Sequence, residues 1–192
     1  HLFAALLLSS FSFIPQSYSQ CSCNTTVGAV PNLDLYWVGN VDNNYNNPCN
    51  WRVGTFSNAN VPCQAPRSND NVFFTAAAFG VPNKIVNIDQ NSNCKNMFWD
   101  NAILPANKPQ LTGTSNALDL NIYGNLTLTD LGKMDFNFNG YLNFLGTGSN
   151  VYTLDTRGHN MRVHSFVISL DPLAELRLLS NFVLNNIYNN NL

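Results

Sequence analysis

Charge is scarce in this 192-residue chain: 10% of its residues are charged, against ~25% in ordinary globular proteins. Nine Lys and Arg and a formal net charge of −2 leave no basic surface that could track phosphates, so nucleic acid is not an expected partner. Glutamate is nearly missing, with Glu175 its single instance, whereas asparagine occurs 33 times. Asn competes with the helix backbone and Glu supports it, so this balance disfavours a helical protein. The apolar run Leu2 to Ile14, ~13 residues, falls short of the ~20 needed to cross a bilayer, so no membrane span is expected. Zinc-type clusters such as C-x2-C followed by another pair are missing, as are G-x-S-x-G, H-E-x-x-H, phosphate-loop and dinucleotide patterns. What is plentiful is Phe, Tyr, Val, Ile and Leu, so the chain is no disordered polar tract. A soluble, Asn-rich, β-dominated protein is the class that remains.

The first nineteen residues read as export, not fold. The short apolar run followed by Ser17-Tyr18-Ser19 has the h-region and small-residue cleavage pattern of a signal peptide, N-terminally incomplete because no basic n-region precedes it. An exported chain meets an oxidising environment, so its five cysteines are disulfide material before they are metal ligands. Cys49 and Cys63 bracket 13 residues rich in Asn and Gly, a loop length suited to one staple, and are expected to pair. Cys21, Cys23 and Cys94 have no assigned partner, and the odd count leaves at least one thiol unpaired within the chain. No metal or cofactor is expected.

Texture divides the chain into 1–19 (leader), 20–34 (a polar lead-in), 35–112 and 113–192. Residues 35–112 hold all three Trp and six of the nine Pro and read as short strands (Tyr36 to Val38, Asn71 to Thr75, Ile85 to Ile88) between turn-rich loops, a disulfide-bearing β cap. Beyond 113 an alternation of period two takes over. Leu118, Leu120, Ile122, Gly124, Leu126 and Leu128 match Met134, Phe136, Phe138, Gly140, Leu142 and Phe144, sixteen residues on, apolar to apolar and Gly to Gly. Alternation puts these on one face and Asp119, Asn121, Asp135, Asn137 and Asn139 on the other. The expected fold is all-β: an N-terminal β-rich cap leading into a right-handed, parallel β-solenoid over 113–192, with an antiparallel β-sandwich as the alternative. The last alternating segment, Leu176 to Leu184, precedes no capping pattern, so stacking is expected to continue past Leu192.

Several short motifs, in order, resemble one family. Tyr36-Trp37-Val38-Gly39, Asn50-Trp51, Val61-Pro62-Cys63 and Asn69 to Phe74 are similar to the opening of large secreted surface proteins of Bacteroidetes. Val86 to Asp89, Cys94 to Met97, Pro109 to Gly113 and Leu120 to Leu128 follow in the family's order, so the resemblance covers roughly residues 36–184. It implies an adhesin-like, extracellular β-helical protein, exported by the type IX route, whose C-terminal sorting domain lies outside these residues. It implies extracellular glycans or cell-surface proteins and the export machinery as partners, and it supplies no catalytic residue.

Three groups of side chains are candidates for chemistry. Asp119 with Asp135, and Asp155 with Asp171, stand sixteen apart and would stack if the repeat were one coil, with Arg157, Arg162 or Arg177 as the cation of a polysaccharide lyase or hydrolase. With a single Glu and no tight acidic cluster, a solvated solenoid face fits these residues better, and no catalytic activity is expected. His159 and His164, five apart on an extended segment, would face opposite sides and share no metal. Trp37, Trp51 and Trp99, with Tyr36, Tyr45 and Phe98, form either an aromatic platform for glycan rings or the core of the cap. The core fits Trp37 and Trp51 better, because both belong to the family-like opening. Asn24 and Asn125 sit in Asn-x-Thr sequences.

Overall fold

The computed structural model describes residues 32–186. The leader, most of the lead-in, Asn24, Cys21 and Cys23 lie outside the described residues. Fourteen strands carry the fold: β1 (Asp34–Trp37), β2 (Trp51–Val53), β3 (Asn71–Phe74), β4 (Ile85–Ile88), β5 (Ser92–Cys94), β6 (Met97–Trp99), β7 (Gln110–Gly113), β8 (Asp119–Ile122), β9 (Leu126–Thr127), β10 (Asp135–Gly146), β11 (Val151–Asp155), β12 (Asn160–Leu170), β13 (Glu175–Leu178) and β14 (Val183–Asn186). Two short 3₁₀ turns, Pro48–Asn50 and Ala76–Phe79, interrupt them. All strand pairings are parallel except that of β1 with β2. The chain is therefore a parallel β-solenoid of roughly five turns, and the antiparallel sandwich is excluded.

Three ladders run along it. The first stacks β1, β3, β6, β9, β11 and β13; the second stacks β4, β7, β10, β12 and β14. The third stacks β5 and β8 on the later halves of β10 and β12. The two long strands thus serve two ladders each. The start of β10 pairs with β7 and its end with β8, and the register against β12 shifts between Phe138 and Tyr141. Gly140 lies within that shift, where a Cβ would collide with the Leu118 carbonyl and the Phe138 ring.

Alternation decides what is inside. Burial along β10 switches at every residue, and Phe136, Phe138, Leu142 and Phe144 point into one continuous core with Leu111, Leu120, Ile122 and Leu126 of the preceding turn. Full burial of each such side chain contributes about 1.5–3 kcal/mol. At the N-terminal end the core is aromatic: Trp51 packs edge-on against Trp37 and Tyr45 at 5.1 Å, and Phe74 stacks on Trp99 at 4.1 Å.

The sixteen-residue match is not the coil. Leu120 pairs with Leu142 and Ile122 with Phe144, whereas Phe136 pairs with Leu111. Among the parallel pairings, positions on β1 and β3 lie 37 residues apart, and from β3 onward the separation runs from 22 (Leu120 and Leu142) to 29 (Met97 and Leu126). The match compared the third and first ladders of one turn with the second and third of the next. Period-two alternation looks alike on every ladder, so it could not tell them apart. Nor do the ladders break at residue 113: β7 joins β4 to β10 directly, and stacking begins upstream with β1, β3 and β6.

The two ends differ. At the start, β2 closes β1 in antiparallel sense, and the loop that follows β1 docks on β4 through an Asn44–Asn87 bridge. At the other end Ile168, Leu178 and Leu184 follow the pattern of inward positions yet are 52%, 53% and 39% exposed.

Candidate functional site

Outward positions of the coils carry the asparagines, and stacking puts like on like. Along the first ladder Asn71 donates to Asp34 at 2.7 Å and Asn96 donates to Asn71 at 2.7 Å. The series continues with the Asn125 N–H to Asn96 and the Thr153 N–H to Asn125. On the third ladder Asn143 donates to Asn121 at 2.8 Å and Asn121 to Asn93 at 3.2 Å; on the second, Asn87 donates to Asn44 and Thr112 to Asn87. An amide both donates and accepts, so it can pass a hydrogen bond from coil to coil, which a carboxylate cannot. The outward Asn residues are therefore inter-coil ties in addition to solvated groups. Asn125, in its Asn-Leu-Thr sequence, is held by this series at both its backbone and its side chain.

The aromatic candidates separate into two sets. Trp37, Trp51 and Trp99 are 1%, 0% and 3% exposed, so none is a glycan contact, and Trp51 donates its indole N–H to the Tyr45 carbonyl at 2.7 Å. Outside, Tyr36, Phe73 and Phe98 form a column on β1, β3 and β6, with centroids 4.8 and 5.1 Å apart and planes within 16°. Their faces are spent on one another, so the column ties coils together and offers edges to solvent instead of a flat platform.

The paired carboxylates come apart. Asp119 stands opposite Tyr141 on the third ladder and accepts from Asn143 at 3.0 Å. Asp135 stands opposite Gln110 on the second and is bound by Lys108 at 2.8 Å. Asp155 is ion-paired with Arg157 at 3.4 Å, while Asp171 accepts the Gly148 N–H. Arg177 is paired with Glu175. Arg157 and Lys133 both bind Asp130, and hydrogen bonds from Arg157 first, then Lys133, hold that carboxyl below its usual range.

Neither histidine is placed for metal chemistry. His159 is buried with Nε2 at 3.1 and 3.0 Å from the Thr129 and Asp130 carbonyls of the preceding coil; two acceptors require that nitrogen to carry the proton. His164 packs edge-on against Tyr141 on the outer surface. Cys49 and Cys63 are both disulfide-bonded, and Cys94 is the free thiol among the described residues. Burial pushes the Cys94 thiol up to about 12, beside Tyr45, whose hydroxyl donates to the Asn93 carbonyl at 2.9 Å.

The concave feature that gathers unused chemistry lies over the second ladder. It is a groove of about 470 Å³ bounded by Lys108, Asp135, Asn137, Asn160, Arg162 and Asn185, with Leu131 on its rim. Asn137, Arg162 and Asn185 are successive rungs, so the groove runs along the solenoid axis. Arg162 is exposed and has no carboxylate partner among the described residues, whereas Lys108 is neutralised by Asp135. No sequence motif marks this groove, because its residues come from separate turns. No family model, curated protein or solved structure matches this chain.

Proposed function

We propose that this chain is part of a secreted cell-surface protein whose role is structural and adhesive. It presents an extended β-helical surface to extracellular glycans or to cell-surface proteins and performs no catalysis. The observation that carries this reading is the outer surface. Its side chains stand in register along three ladders, tied by Asn-to-Asn hydrogen bonds, so it forms a stiff, largely uncharged display of amides. A stiff polar display loses little conformational entropy on contact, which favours adhesion through many weak hydrogen bonds. The disulfide-bonded state of Cys49 and Cys63 supports an oxidising destination. The separation of Asp119 from Asp135 onto different ladders supports a non-catalytic role over a carbohydrate-active β-helix enzyme.

One experiment weighs adhesion against turnover. The purified chain is incubated with a panel of soluble polysaccharides and matrix proteins, scoring both saturable retention and the appearance of new chain ends. Retention by one or more panel members with no new reducing or unsaturated ends is expected. Depolymerisation that disappears in Asp119→Asn or Asp135→Asn would overturn the reading, as would retention by no panel member at all.

A further inference from the structure

We propose that the groove over the second ladder binds a linear acidic polysaccharide, one whose sugars carry carboxylates, lying along the solenoid axis. The proposal rests on the adhesive reading and gives it a ligand class. Its first support is charge. Arg162 is exposed in the groove with no carboxylate partner among the described residues, and a guanidinium fork matches a carboxylate in two hydrogen bonds. Lys108 and Asp135 satisfy one another at 2.8 Å, so the groove holds one unspent positive charge. That suits capture of one carboxylate by the guanidinium fork while hydroxyls fill the other contacts, and it is too little for a phosphodiester chain, whose affinity comes from many cations acting together.

The flanking groups are amides. Asn137 and Asn185 stand on the rungs either side of Arg162, and Asn160 lies two positions before it. Each offers a donor and an acceptor side by side, the complement of neighbouring sugar hydroxyls. Main-chain recognition of a peptide is confined to the edge strand β14, which carries Asn185. At Asn137 and Arg162 the strands are interior to the sheet, with β10 between β7 and β12, and β12 between β10 and β14, so no free N–H and C=O row is presented there. Spacing is the last support. Rungs repeat every ~4.8 Å along the axis, close to the advance of one pyranose in an extended chain, so successive sugars would meet successive rungs.

The test uses the 192-residue chain in affinity electrophoresis through gels containing polygalacturonate or its fully methyl-esterified form. The esterified polymer keeps the backbone and removes the charge. Retardation by polygalacturonate is expected, at least tenfold weaker with the ester and weakened further by 0.5 M salt. Arg162→Gln should lose at least tenfold in affinity and Arg162→Lys should fall between, since Lys keeps the charge without the fork. Arg177→Gln, on the first ladder, should bind as the parent does. Circular dichroism and thermal unfolding of the Arg162 variants should match the parent, because the side chain is exposed. Equal retardation by acid and ester, or parent-like binding by Arg162→Gln, overturns the groove. If the chain binds other panel members but not polygalacturonate, the groove proposal fails while adhesion stands.

Discussion

Replacing Gly124 by alanine probes how closely successive coils approach. Gly124 follows the third-ladder strand β8 and precedes β9, at a corner where the backbone of the previous turn comes up from below. A Cβ there would lie 2.7 Å from the Lys95 carbonyl oxygen and would overlap the Asn96 side-chain oxygen. The first of these is backbone and cannot swing away. The second accepts the Asn125 N–H, and the same Asn96 amide donates to Asn71, so moving it breaks the first-ladder series. Overpacking of this kind costs roughly 1–3 kcal/mol, and one or two disrupted part-buried hydrogen bonds add about 1 kcal/mol each. The expected loss is therefore about 2–5 kcal/mol, or roughly 5–15 °C in Tm for a domain of this size. Gly80→Ala is the matched control: Gly80 has φ −68° and nothing within 4 Å of a Cβ. That variant should be neutral or stabilised by about 0.4–1 kcal/mol, through the unfolded chain. Urea titrations of both variants against the parent decide the matter. If the two glycines respond alike, close coil approach at Gly124 does not limit stability and the reasoning is refuted.

Two further outcomes follow from the core and from its open end. Because the Cys94 thiol ionises near 9.0 when unfolded and about 12 when folded, its contribution is intact below pH 9 and declines between pH 9 and 12. The slope is about 1.4 kcal/mol per pH unit. Urea midpoints from pH 8 to 11 should fall more steeply for the parent than for Cys94→Ala, and native-state labelling of Cys94, located by peptide mapping, should be negligible; prompt labelling of Cys94 would contradict the buried site. At the other end, exposed Ile168, Leu178 and Leu184 beside strand edges that have no partner among the described residues should make the 192-residue chain self-associate in sedimentation velocity. The double variant Ile168→Lys/Leu178→Lys should restore a monomer, and a parent that stays monomeric at tens of micromolar would count against an open edge.

How much of this was legible in the sequence depends on the range of the interaction. Strands and facing are short-range: Asn71–Phe74 and Ile85–Ile88 form where β-branched and aromatic residues cluster between turn-rich loops, and Trp37 and Trp51 are core. The coil was not legible. Alternation records only which side of the sheet a residue faces, so Leu120 to Phe136 scored as well as the true partner, Leu142. Gly124 and Gly140 did match, but because each sits at a turn corner crowded by the coil below, not because they occupy equivalent places. The asparagines were read as solvated because their ties join residues such as Asn93, Asn121 and Asn143, 28 and 22 positions apart. No local pattern announces such a pair. Arg162 had the same problem: its neighbours in the groove are supplied by other turns.

The spacing of the ladders bears on where binding belongs. On the first ladder the steps from Val72 to Met97, Leu126 and Leu154 are 25, 29 and 28 residues, and on the third Ser92, Leu120 and Leu142 are separated by 28 and 22. On the second, Asn87, Thr112, Asn137 and Arg162 are separated by 25 residues at three successive steps, and Asn185 follows Arg162 by 23. Up to Arg162, differences in coil length therefore fall at the corners and on the other two walls. A one-residue slip on the second wall would turn Asn137 and Arg162 inward and Phe136 and Met161 outward, exchanging polar groove for core. Length is free to vary where only packing constrains it, since a corner loop can lengthen for little entropy. It varies least where side chains of successive turns must stand in a line. A ligand that lies along the axis imposes that second condition, and a ligand bound within one turn does not.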